Sequence, residues 1–118
     1  MIVSVHHYEP AESTTQAALR DAVHEAERRG PSDLPGLVEY RFVRGIRGMR
    51  TDEFSALWTY ESREAWERLW GSVADPVDKE AYPDEWKRWE DDVLDPLIVG
   101  DPDDIDYTSY EVLQGGTR

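Results

Sequence analysis

The chain has no cysteine. Disulfides, thiolate metal sites, cysteine nucleophiles and iron–sulfur clusters are therefore excluded. Histidine is scarce as well, with only His6, His7 and His24. No stretch approaches the roughly 18 apolar residues of a membrane span. The opening "MIVSV" is far too short for the apolar region of a signal peptide. A cytoplasmic location with no membrane partner is expected. Basic residues are few: 13 against 26 acids, a net charge of −13. Such a chain repels phosphate backbones, so no nucleic-acid partner is expected. The excess is local, because residues 75–106 hold 13 acids and 3 bases. A solvated acidic surface is the simplest reading of that half.

What the chain does have is a length of 118 residues, with 39% hydrophobic and 11% aromatic content. This is one domain's worth of globular sequence, with a core expected over residues 2–113 and a frayed tail, "QGGTR", at 114–118. Five tryptophans and six tyrosines are many for a chain of this size. Each carries a polar atom that needs a partner when buried. Three of the tryptophans fall in "FSALWTYESREAWERLW", residues 54–70.

"IVSVHHY", 2–8, is β-branched and aromatic and stops at Glu9-Pro10, which predicts a first strand. Ser13 and Gln16 have the spacing of a capping box. A helix is predicted from there, with Ala18, Leu19, Ala22, Val23 and Ala26 on one face and Gly30-Pro31 as its stop. "GLVEYRFVRG", 36–45, and "FSALWTY", 54–60, predict a hairpin around a Gly-punctuated turn. The first of these strands carries apolar residues on both parities, which predicts cover on both sheet faces. Ser62 is placed to cap a second helix, whose stripe is Ala65, Trp66, Leu69, Trp70 and Val73. Pro83, Asp84 and Glu85 suit the start of a third, carrying Trp86, Trp89, Val93 and Leu97 and ending at Asp95-Pro96. A last strand is expected at 107–113.

The order β-α-β-β-α-(α)-β predicts an α+β fold of the ferredoxin-like kind, with a four-stranded antiparallel sheet and helices on one face. The other face needs cover, most simply from a second copy of the chain, so a homodimer is expected.

With "ALWTYESREAWERLW" at its centre, this topology resembles the dimeric α+β barrel superfamily. It is most similar to its antibiotic-biosynthesis-monooxygenase-like domains. The shared feature is a strand ending in an aromatic, then an acid and a serine, then an amphipathic helix. Here these are Trp58, Tyr60, Glu61 and Ser62, followed by Ala65-Trp66 and Leu69-Trp70. The resemblance implies a pocket between sheet and helices. It implies either cofactor-independent oxygenation of polycyclic aromatic phenols or oxidative haem degradation. The haem-degrading branch uses a helix histidine at or near the position of Trp70, and residues 61–118 contain no histidine. Its first-strand asparagine falls near His6 or His7. Haem degradation is therefore not expected, nor is any other cofactor.

His6 and His7 point to opposite faces of their strand, so one of them lines any pocket. A pocket-facing histidine can serve as base or hydrogen-bond donor to a phenol. His6, His7 and Tyr60 are the catalytic candidates. Tyr40, Trp58, Tyr60, Trp66 and Trp70 are the candidate walls for a small apolar or aromatic ligand. The competing reading is that these aromatics are packing in a non-catalytic ligand-binding or structural dimer. The run Asp101, Asp103, Asp104, Asp106 lacks the glycine and bidentate glutamate of a calcium loop, so no metal site is expected.

Overall fold

A computed structural model describes residues 1–29 and 33–116. Two strands form the centre of the sheet, β1 (Ile2–Tyr8) and β3 (Phe54–Tyr60). They pair antiparallel, with Ile2 opposite Tyr60 and Tyr8 opposite Phe54. β2 (Leu37–Arg44) lies outside β3, and β4 (Asp106–Glu111) lies outside β1. The order is β2-β3-β1-β4, with every neighbouring pair antiparallel. Helices α1 (Gln16–Arg29), α2 (Arg63–Trp70) and α3 (Asp84–Arg88) complete the β-α-β-β-α-α-β order. This is the ferredoxin-like α+β arrangement that the sequence predicts.

Strand alternation decides which side chains reach the core. Ile2, Ser4, His6 and Tyr8 point towards the helices, as do their partners Tyr60, Trp58, Ala56 and Phe54. The opposite face carries Val3, Val5, His7 and Leu57. Val43 and Tyr110 lie beside them, 43% and 54% exposed.

The two apolar parities of β2 have a different cause from the one predicted. The register slips between Leu37 and Glu39, leaving Val38 as an extra residue. A bulge of this kind reverses the parity of the rest of the strand. Leu37, Tyr40 and Phe42 consequently all pack on the helix side, while Val38 is exposed.

Ser62 caps α2, its hydroxyl accepting from the Ala65 N–H at 3.1 Å. The cap of α1 is Thr15 rather than Ser13. The Thr15 hydroxyl accepts from the Ala18 N–H at 3.1 Å, which makes Gln16 the first helical residue. The predicted stop at Gly30-Pro31 lies outside the described residues, as does the end of the tail at 117–118. The last strand is shorter than predicted and ends at Glu111.

After α3 the chain does not stay in regular winding. Residues Trp89–Leu94 form a wide, π-type turn and then a tight 3₁₀ turn over Asp95–Leu97. A wide turn holds one more residue than an α-turn, so the apolar stripe shifts by one. Leu94, 1% exposed, takes the core position predicted for Val93.

Candidate functional site

A cavity of about 420 Å³ opens between the β1–β4 side of the sheet, α2, α3 and the segment 101–105. β1 supplies its floor with Ser4, His6 and Tyr8. Ser4 is tied across to Ser109 of β4, hydroxyl to hydroxyl at 2.7 Å. The walls are aromatic: Tyr60, Trp66, Trp70, Tyr82, Trp86 and Tyr107. Several of these rings meet at steep angles. Trp70 contacts Trp86 at 5.2 Å and 69°, and Tyr82 at 5.3 Å and 83°. His6 meets Trp86 at 5.5 Å and 87°.

The rim is set by Gly71, which ends α2 at φ +84° and ψ 175°. That backbone region is essentially confined to glycine. A Cβ there would stand 2.5 Å from the Asp75 carbonyl oxygen. The chain can therefore fold back so that Val77 N–H bonds the Trp70 carbonyl at 3.0 Å, which brings Pro76 and Val77 to the cavity.

Among the described residues, His6 Nδ1 and one oxygen of Glu90 are buried without a hydrogen-bond partner, and both residues line the cavity. The Tyr8 hydroxyl, also at the cavity, lies buried against the Trp58 and Trp89 indoles. Leaving a buried polar group unpaired costs about 1–3 kcal/mol. Burial, with a smaller contribution from His7, pushes the His6 imidazole down to about 3, which keeps it neutral. Burial raises the Tyr8 and Tyr60 hydroxyls above the ordinary phenol range.

Glu90 sits on the wide turn and is 4% exposed. Burial pushes its carboxyl up to about 8, and the neighbouring Asp103 carboxyl acts in the same direction. Asp103 also lines the cavity and is bonded to Lys79 at 2.9 Å. Lys79 opposes the rise at Glu90 but does not overcome burial.

Dimeric ferredoxin-like structures share this architecture. A protein of unknown function from Thermobifida fusca superposes with a TM-score of 0.64 at 11% identity, covering 94% of this chain and 90% of that one. A second, from Jannaschia, gives 0.60 at 19%, covering 94% and 98%. The haem degrader MhuD from Mycobacterium tuberculosis, with two haems bound, gives 0.57 at 15%, covering 99% and 100%. The fold shared with these structures is ferredoxin-like α+β. No family model and no curated protein matches the chain.

Within this fold the structure separates the residues singled out from sequence. His6 faces the cavity. His7 faces the other side of the sheet, where its Nδ1 lies 2.9 Å from the Ser55 hydroxyl. Tyr60, Trp66 and Trp70 line the cavity. Tyr40 and Trp58 do not. Trp58 is wholly buried beneath it, and Tyr40 stacks on the far side of Trp58 at 6.2 Å.

The acids of the run, Asp101, Asp103, Asp104 and Asp106, are all exposed. Asp101 caps a short turn through the Asp103 N–H, and Asp103 turns back to Lys79. Sequence reasoning missed Tyr8, Trp86, Glu90 and Asp103. One signal was there to read: Glu90 falls four residues after Trp86, an acid on the apolar stripe of its own helix.

Proposed function

We propose that the protein binds a small aromatic ligand in this cavity and oxidises it without a cofactor, as a monooxygenase-like oxidoreductase. The observation that carries this reading is an aromatic chamber whose lining includes the polar side chains of His6, Tyr8 and Glu90. A ligand with an apolar ring and a hydroxyl would stack against Trp66, Trp70 or Trp86. Its hydroxyl would satisfy His6 or Tyr8.

Burial makes His6 a hydrogen-bond acceptor that orients the substrate hydroxyl, and too weak a base to take its proton. It is neutral, and Nδ1 accepts when the proton resides on Nε2. Removing a proton from a hydroxyanthrone-type substrate leaves an electron-rich ring that can reduce dioxygen. The ring methylene becomes a carbonyl, one oxygen atom staying in it. The other leaves as water with the two methylene hydrogens, one of them returned as a proton from solvent. The substrate supplies all four electrons.

Titration of the protein with a hydroxyanthrone, followed by tryptophan fluorescence and an oxygen electrode, tests both parts. Quenching with oxygen uptake that falls at least tenfold in His6→Ala is the expected result. Quenching without uptake reduces the protein to a ligand-binding dimer. No quenching refutes the pocket.

The apolar sheet face of Val3, Val5, Leu57, Val43 and Tyr110 supports a second copy of the chain as partner. So does the description of the Thermobifida and Jannaschia proteins as dimeric. Sedimentation is expected to give twice the 13.6 kDa of one chain, and a 13.6 kDa species would refute the dimer.

A further inference from the structure

The cavity's electrostatics point to one class of ligand. Among the described residues lining it there is no lysine or arginine. Its only basic side chain, His6, is held neutral by burial. The acids Glu90 and Asp103 are both present, and the chain as a whole carries −13. Trp70 stands steeply to both Tyr82 and Trp86, so this wall is a set of corners rather than two parallel plates. Aromatic ring faces carry negative charge density, and a cluster of them attracts an organic cation.

The decisive group is Glu90. Its side chain is buried beside the cavity, and one of its oxygens has no partner. Asp103 is already engaged by Lys79, with a second, longer approach of Lys79 to Asp91 at 3.6 Å. Glu90 is thus a buried carboxyl that lines the aromatic cavity beside Asp103, with one oxygen outside any hydrogen bond.

We propose that the ligand carries an organic ammonium group, seated among Trp70, Tyr82 and Trp86 and paired with Glu90. This rests on the pocket reading above and narrows it to aromatic ligands bearing a basic nitrogen. Seating the cation compensates the buried Glu90 carboxylate, which otherwise holds a proton near neutrality, so binding releases a proton. The same positive charge also favours the deprotonated ring of the substrate.

Three probes of one shape test this on the full chain at pH 7 by tryptophan fluorescence. They are benzyltrimethylammonium, its neutral carbon isostere neopentylbenzene and the anionic benzylsulfonate. The ammonium is expected to bind at least tenfold more tightly than the neutral isostere, and the sulfonate not at all. In Glu90→Gln the ammonium preference is expected to fall to within about twofold. The comparison of probes on the unaltered protein stands even if that variant folds poorly. Equal binding of the neutral probe, or binding of the sulfonate, overturns the cation assignment and leaves the pocket intact. If neither these probes nor the hydroxyanthrone perturb the tryptophans, the pocket reading fails and the inference with it.

Discussion

Replacing Trp58 by alanine is expected to remove about 3–5 kcal/mol of stability, the usual cost of deleting a buried indole. Small domains are stable by roughly 5–15 kcal/mol, so this one change leaves a marginal fold. Trp58 is 0% exposed and stands at the centre of the helix-facing side of β3. It meets five other rings: Phe42 at 5.6 Å, Trp86 at 5.2 Å, Tyr40 at 6.2 Å, His6 at 6.3 Å and Trp89 at 6.4 Å. Its loss leaves a void that rings from four elements cannot all move to fill. Trp58→Phe separates shape from polarity. The Nε1 of Trp58 is buried against the Tyr8 hydroxyl without a well-formed hydrogen bond, so phenylalanine gives up ring volume and only this weak contact. It is expected to cost under half of the alanine change in a urea-unfolding series. A phenylalanine variant as unstable as the alanine one would show that the N–H is held by a group the structure leaves unpaired.

Trp58 also shows where the sequence stops being legible. The strand limits of β1 and β3, the Ser62 cap and the element order all come from local patterns, because alternation and capping are properties of short segments. The division of the 58–70 aromatics is not local. Trp58 and Tyr60 share a strand face, yet only Tyr60 reaches the cavity, since Trp58 lies under α3 and the wide turn while Tyr60 lies at the strand end beside α2. Which of His6 and His7 faces the helices depends on the register with β3, which two β-rich strands do not declare. Glu90 was readable as an acid on an apolar stripe, but its burial comes from the turn at 89–94 and from Asp103, thirteen residues later. Leu94 displaced Val93 for the same reason. A change in winding adds a residue that no regular period contains.

The stability of the protein is expected to peak between about pH 4.5 and 6.5 and to fall on either side, each limb assigned to one buried group. His6 titrates near 3 in the fold, lowered by burial and then by His7, against about 6.5 in the unfolded chain. Between those values the unfolded chain binds a proton that the folded one refuses. Stability is therefore lost as the pH falls from about 6.5 towards 3. Glu90 runs the other way. Its carboxyl titrates near 8 in the fold against about 4.5 unfolded, raised by burial and by Asp103 and Asp91, with Lys79 opposing. The folded chain then keeps a proton that the unfolded one releases, and stability is lost as the pH rises from about 4.5 to 8. Tyr8, buried and facing Glu90, stays protonated throughout this range. Glu90→Gln keeps the side chain's size and cannot ionise. It is expected to gain on the order of 2 kcal/mol at pH 8 relative to the unaltered protein and nothing at pH 4.5. His6→Gln is expected to flatten the acid limb and leave the alkaline one. Urea midpoints for the three proteins at pH 4.5, 6 and 8 decide it. A Glu90→Gln difference that stays constant across those pH values would mean that Glu90 is ionised in the fold, compensated by Lys79 rather than waiting for a cation.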